Sequence, residues 1–401
     1  MSSYYSIHTH IFNEACVPVR FHRSRPKSFI GRMIHIDDIR ETIVEGLKVI
    51  NPFNAFDKGN LLARMVVVNR HETQDEVWQE IVKNYTDVPD MRFVVLPLDF
   101  DYMEAGASLI NYPTQLYELI RLKHKYKDKI IPFVCADPRR YQGAELTNFV
   151  ATYIQKHGFG GVQLCPALGF YPFDPSLFEL YRFAEEYSIP VITDNNIGKM
   201  HLRGSLMRQQ LAPAHLSELD SAVALARDLR SDKIDASIPH IQAANLPRVY
   251  VRQSMDVFRH NFTDPAAYRE VLNLFPRLKL CFTCFRLGSE SNGMREKEVK
   301  RRNDEIIGLM NTFPNVYAEV SGGPQEEFMR NLSAVAECEN RILWGTSSFY
   351  RRGQESEANI LLRRKLESFD NKEELFEKIM SKNPGRFLSI ADELFTSEAP
   401  K

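Results

Sequence analysis

GFGGVQLCPALGFYPFDP, residues 158–175, holds one complete βα unit in miniature. Gly158 follows His157 at the end of an amphipathic stretch and reads as a helix stop, because glycine tolerates the left-handed turn that ends helices. Gly161–Cys165 is a short run that is apolar at nearly every position, as a strand covered on both faces must be. Pro166, Gly169 and Pro172 punctuate the chain after it. Asp174-Pro175 then opens a new helix, with aspartate as N-cap and proline in the first turn. Helix stop, strand, turns and helix start in that order describe an α/β chain with a parallel sheet.

The same grammar extends outward from this stretch. Upstream, Ala144–Lys156 places Leu146, Phe149, Val150, Tyr153 and Ile154 on one helical face, and Pro113–Lys125 does the same with Leu116, Leu119, Ile120 and Leu122. Downstream, Asp264-Pro265 repeats the helix start, and Asn383-Pro384 opens a last helix. Between the helices lie eight candidate strands: Tyr5–Phe12, Phe93–Leu98, Ile130–Cys135, Gly161–Cys165, Pro190–Thr193, Leu278–Thr283, Val316–Val320 and Ile342–Gly345. Eight strands alternating with helices are what a closed (β/α)8 TIM barrel needs. Residues 13–90 and 197–250 exceed a bare barrel and read as helical insertions after the first and fifth strands. Both fall on the face where barrel enzymes build pockets. No Gly/Ser linker or repeat sets either apart, so residues 1–401 are expected to form a single domain.

With 401 residues, 44% of them apolar, the chain can bury a large core without disulfides. Lys plus Arg number 51 against 52 for Asp plus Glu, a balance that gives no electrostatic ground for nucleic acid or an anionic membrane as partner. The opening MSSYYSIHTH carries neither a basic start nor an apolar run, so no signal peptide is expected. No stretch approaches the roughly 20 apolar residues that span a bilayer. The six cysteines sit mostly in apolar strand-like runs, which favours a reducing, cytoplasmic setting with thiols rather than staples.

The sharpest chemical signal is His8-Thr9-His10 in the first strand. Positions two apart on a strand share a face, so both imidazoles can look into the barrel, and two neutral imidazoles are half of a zinc-type site. Nothing in the chain supplies a Gly-x-Gly-x-x-Gly, a phosphate-binding P-loop or a Gly-x-Ser-x-Gly elbow. Nucleotide-cofactor, nucleoside-triphosphatase and serine-hydrolase readings therefore have no footing.

Several stretches resemble the amidohydrolase-2 branch of the metal-dependent amidohydrolases. SIHTHIFN, 6–13, resembles the His-x-His opening strand of that family, and residues 158–175 resemble its segment after the fourth strand. NFTDPAAYREVLNLFPRLKL, 261–280, is similar to the helix and strand that follow, and NVYAEVSG, RILWGTSS and NPGRFL resemble the last two strands and the closing helix. The resemblance implies a TIM barrel holding a divalent metal, zinc first, and hydrolysis of an amide or ester-type bond or decarboxylation of a small carboxylic acid. It implies a small-molecule substrate, and fold analogy adds a homodimer.

The resemblance weakens at the catalytic positions. Asp194 stands where the family ends its fifth strand in histidine, Cys284 where its sixth strand does, and Ser347 where its eighth supplies aspartate. Gln163 replaces the fourth-strand lysine. The residues left to hold a metal are His8, His10, Asp194 and Cys284, all accepted ligand types. Asp194 is then ligand or acid/base. Cys281 and Cys284 lie three apart, so on a strand they diverge, and the family register makes Cys284 the inward one. Asp99, Asp101, Asp137, Arg139, Arg140 and Arg286 cluster at strand ends, where Arg139 or Arg286 can meet a substrate carboxylate. His201, His215, His240 and His260, in or after the second insertion, are candidate bases. The competing expectation is a non-catalytic barrel that keeps the pocket and binds a small molecule or a protein.

Overall fold

Each apolar run of the sequence becomes a strand: β1 Tyr4–Thr9, β2 Met91–Val95, β3 Ile130–Ala136, β4 Gly161–Leu164, β5 Val191–Thr193, β6 Leu280–Phe282, β7 Val316–Val320 and β8 Ile342–Trp344. The computed structural model describes residues 3–18, 73–85, 88, 90–102, 107–194, 262–283, 285, 296–320, 338–346, 362, 366–367, 370–391 and 393–396. All eight strands pair in parallel, each with the next in sequence, in the order β1 to β8. The eighth returns to the first. Thr346, just past β8, donates its backbone N–H to Ser6 Oγ at 3.2 Å and its hydroxyl to the His8 carbonyl at 3.0 Å, closing the seam. The architecture is the expected (β/α)8 barrel.

Two apolar layers hold it. Ile7, Val94, Leu96, Phe133, Ile192, Cys281, Tyr317 and Leu343 cluster inside the barrel with Phe387. Their strand neighbours Val162, Leu164, Val191, Leu280, Phe282, Val316, Ala318 and Val320 pack outward against the helices in a second cluster. By the same alternation Gln163 is the inward residue of β4, and it is buried. Gly161 admits the close approach of β3: a Cβ there would meet the Phe133 ring at 2.7 Å and the Pro190 carbonyl at 2.5 Å.

The helices are α1 Gln74–Val82, α2 Tyr112–Tyr126, α3 Gly143–His157, α4 Phe178–Glu186, α5 Tyr268–Leu274 and α6 Glu296–Thr312. In α3, Leu146, Val150 and Ile154 are fully buried, each stabilising the fold by about 1.5–3 kcal/mol. Phe149 and Tyr153 are half-buried and pack on each other. Gly158 ends the helix at φ 67°, its N–H reaching the Ile154 carbonyl at 3.1 Å. Asp174 and Asp264 cap as expected, accepting from the N–H groups of Ser176 at 2.9 Å and Ala266 at 3.1 Å. Each opens a single 3-10 turn that leads into α4 or α5.

Asn383-Pro384 corrects the sequence reading. It does not open a fresh helix. A helical run begins with α7, Lys372–Glu377, passes through a π-turn at Lys378–Lys382 and continues as α8, Asn383–Leu388. Pro384 has no N–H to return to the preceding turn, and a widened turn absorbs that loss. The Asn383 side chain does not cap. It donates to the carbonyls of Glu339 at 2.6 Å and Ile342 at 2.9 Å, pinning α8 to the entry of β8.

Within the 13–90 insertion the described residues hold α1, while the insertion at 197–250 lies outside the described residues. Among the described residues no helix is long and apolar enough to cross a membrane.

Candidate active site

β1 is where the regular barrel is broken. Ser6 pairs with Phe93 and Thr9 with Val95, so β1 advances three residues while β2 advances two. This bulge turns Ser6 and Thr9 to one side, their hydroxyls 3.1 Å apart. It also lets Ile7 and His8, adjacent in sequence, both face the interior. Ile7 joins the apolar layer, and His8 stands above it toward the C-terminal ends of the strands, where barrel enzymes carry their sites.

The next inward position on β7 above Tyr317 is Glu319, and the next on β8 above Leu343 is Gly345. Glu319 is fully buried, and its Oε2 lies 3.2 Å from His8 Nδ1. Between them passes β8, and only the missing side chain of Gly345 leaves the way open. A Cβ at that position would collide with the Glu319 carboxylate and stand 2.6 Å from His8 Cβ. His10 leans across to β2, its Nδ1 2.7 Å from the Leu96 carbonyl oxygen.

These contacts make Nδ1 the donor nitrogen of both rings. A carbonyl and a carboxylate accept hydrogen bonds, so each histidine donates through its Nδ1–H, and in the neutral form of either ring the lone pair is then at Nε2. The two Nε2 atoms face each other at 3.0 Å, with the rings nearly perpendicular at 83°. At that distance a cation lies between the two nitrogens, either the proton of a His8 imidazolium paired with Glu319 or a metal ion. Burial, then the neighbouring His8, pushes His10 down to about 3, so its imidazole is neutral at ordinary pH. The separation of 3.0 Å is shorter than twice a zinc–nitrogen bond of about 2.0–2.1 Å, so one ion can meet both nitrogens. With each Nδ1 anchored on a carboxylate or a carbonyl, the pair has the outer support that metal-binding histidines use.

Asp194 follows β5 at the inward position above Ile192. Its N–H continues the ladder to the Leu164 carbonyl at 3.0 Å, and the Cys165 thiol donates to its Oδ2 at 3.7 Å. Burial, reinforced by the Asp194 charge, raises Cys165 well above the usual thiol range, which keeps it a protonated donor. Among the described residues no three His, Cys, Asp or Glu side chains converge in a metal cluster. The structure brings His8 and His10 together and does not add Asp194 to them as a third member of one. Cys284, Arg286, Ser347 and the four histidines of the second insertion region lie outside the described residues. Cys281 corrects the expected facing: it packs inside the barrel with Ile7 and Ile192, because β6 keeps strict alternation through Leu280 and Phe282 on the outer face.

Arg139 and Arg140 end β3 in a buried ion-pair network. Arg139 donates from Nε and Nη2 to Asp137 at 2.9 and 2.7 Å and from Nη1 to the Tyr102 carbonyl at 3.0 Å. Arg140 clamps Asp99 with Nε at 2.6 Å and Nη2 at 2.8 Å and reaches Asp101 at 2.5 Å. Burial, with help from Asp137 and Asp101, carries Asp99 up to about 6 against the pull of Arg140. Arg139, expected to meet a substrate carboxylate, is bound to a carboxylate of its own chain.

Gln163 Oε1 and Thr283 Oγ1 are buried without a hydrogen-bond partner among the described residues. Both belong to inward positions, Gln163 on β4 and Thr283 one step above Cys281. Sequence reasoning missed Glu319 as a site residue. Its signal was a single carboxylate two positions after Tyr317 in the otherwise apolar strand Val316–Val320.

The sequence profile of a family described as Amidohydrolase (Amidohydro_2) matches residues 114–390. Among curated proteins no sequence matches the chain. Solved structures that it resembles include an uncharacterised TIM-barrel protein from Bordetella bronchiseptica, 14% identical, covering 96% of this chain and 98% of that one at a TM-score of 0.47. A 4-oxalomesaconate hydratase from Rhodopseudomonas palustris is 11% identical, with coverages of 96% and 95% and a TM-score of 0.46. A probable 2-pyrone-4,6-dicarboxylic acid hydrolase from Acinetobacter baumannii, solved with citric acid bound, is 12% identical, with coverages of 96% and 99% and a TM-score of 0.47.

Proposed function

The chain belongs to the amidohydrolase family, and from that premise we propose that it is a metal-dependent hydrolase in which His8 and His10 hold a divalent ion, zinc first. The observation that carries this reading is the convergence of the two Nε2 atoms at 3.0 Å, each ring fixed from behind through its Nδ1. When bound, such an ion polarises a carbonyl oxygen and makes a nucleophile of water near neutral pH.

The remaining roles fall to this chain's own groups. Asp194 takes a proton from the attacking water in this reading, and the support for it is its inward position after β5 with its Oδ2 accepting from the Cys165 thiol. Gln163 Oε1 and Thr283 Oγ1 supply buried acceptors or donors for the polar end of a small substrate. The apolar floor of Ile7, Ile192 and Leu343 excludes water below the reacting bond. Cys284 as a further ligand and Arg286 as partner of a substrate carboxylate complete the proposal, Arg139 being held by Asp137. The bond broken is amide or ester-like. Decarboxylation of a small carboxylic acid uses the same scaffold and is the first alternative chemistry to screen.

A second reading, a barrel that binds without catalysing, is favoured by one observation: Asp194 is engaged with Cys165 and does not form a cluster with the histidine pair. The test is a panel of small amides, esters, lactones and aromatic acids offered to protein reconstituted with zinc or manganese, beside the His8→Ala and His10→Ala variants. Turnover that disappears in both variants supports the enzyme. Substrate-like ligands that bind without turnover move the assignment to a binding barrel, and turnover unchanged in both variants removes the histidine pair from the chemistry.

A further inference from the structure

Glu319 has no role in the family resemblance set out above, yet it is the carboxylate that the fold delivers to the histidine pair. We infer that Glu319 is a positioning residue for His8, and that the bare Cα of Gly345 is the gap through which it acts. This inference rests on the proposed metal-binding role of His8 and His10.

Three neighbouring strands at the seam make the argument. Glu319 starts on β7 and His8 sits on β1, so the contact between them, Nδ1 to Oε2 at 3.2 Å, must cross β8. It crosses at Gly345, where a Cβ would strike the Glu319 carboxylate and lie 2.6 Å from His8 Cβ. Val316, Ala318 and Val320 of the same strand pack outward among apolar side chains, so the carboxylate is carried on an otherwise apolar strand. Burying a carboxylate there is costly unless a donor meets it, and the His8 Nδ1–H meets its Oε2.

The consequence is chemical. An imidazole has two tautomers, and only the one with the proton on Nδ1 presents a lone pair at Nε2. The Glu319 carboxylate selects that tautomer and holds the ring so that Nε2 faces His10 Nε2 at 3.0 Å. Without it, His8 is free to carry its proton on Nε2, where it blocks the shared position. Loss of such an outer carboxylate typically weakens metal binding by about 10- to 100-fold.

The experiment measures zinc affinity by competition with a chromophoric chelator in the full chain, for the wild type, Glu319→Gln and Gly345→Ala. Glu319→Gln keeps the shape and removes the charge. Gly345→Ala keeps the charge and displaces it. Both are expected to bind zinc about 10- to 100-fold more weakly than the wild type while circular dichroism shows the native fold. Zinc affinity equal to the wild type in both folded variants overturns the inference and leaves the proposed function standing. A wild type that binds no zinc removes the proposed function, and the inference with it. A measurement on the unaltered protein stands beside the variants: long-range 15N spectra of the zinc-bound wild type are expected to show His8 protonated at Nδ1. Protonation at the other nitrogen overturns the inference whatever the variants do.

Discussion

Replacing Gln163 by leucine is expected to stabilise this protein while damaging its site. Gln163 is 2% exposed on the inward face of β4, and its Oε1 has no hydrogen-bond partner among the described residues. An unmet buried acceptor costs about 1–3 kcal/mol, and leucine removes it at nearly the same volume. The new methyl groups meet an apolar layer that contains Phe133 and Ile192. The sum is a gain of about 1–3 kcal/mol in urea unfolding at 25 °C. An unfolding entropy of about 2.1 cal/mol/K per residue makes this a rise of only about 1 °C in Tm per kcal/mol for a chain of 401 residues, so the denaturant experiment is the more sensitive. The same variant is expected to lose turnover or ligand affinity, the usual exchange between stability and a polar site. A loss of stability of 1 kcal/mol or more refutes the reasoning, since it means that the amide is satisfied and structural.

Other outcomes follow from the same geometry. Leu343→Ala, at a fully buried position inside the barrel, is expected to cost about 2–5 kcal/mol by calorimetry or denaturation, and a cost under about 1 kcal/mol contradicts the assigned packing. Arg140→Met strips Asp99 of its bidentate partner and is expected to destabilise by about 3–5 kcal/mol near neutral pH, with part of the loss recovered in an Asp99→Asn background. Cys135 and Cys165 are buried with thiols raised far above their ordinary range, burial being the first cause in both. Iodoacetamide at pH 7 is therefore expected to leave both unmodified in the native protein and to label them after unfolding, as peptide mass spectrometry reports.

The fold was legible because each rule it uses is local. The stop at Gly158, the apolar run through Val162 and Leu164, and the cap at Asp174 are all readable within one short stretch, and the same grammar located all eight strands. Where local rules mix with tertiary demand, the reading failed. Asn383 looks like a helix start from its proline neighbour, but its side chain is claimed by carbonyls beside β8, a contact between distant parts of the chain. Cys281 was turned outward by borrowing a register, while strict alternation in β6 turns it inward. The histidine pair was legible because spacing two on a strand is a local fact. Its orientation was not, because Glu319 and Gly345 lie more than 300 residues away in sequence and meet His8 only when the barrel closes.

The central claim is that His8 and His10 form the core of a metal site. Metal content per chain, measured by mass spectrometry on protein purified without chelator, tests it most directly when paired with the His8→Ala, His10→Ala double variant. About one equivalent of zinc or another divalent metal is expected in the wild type, and none in a double variant that folds normally. Metal absent from the wild type even after soaking, or retained in full by the variant, contradicts it.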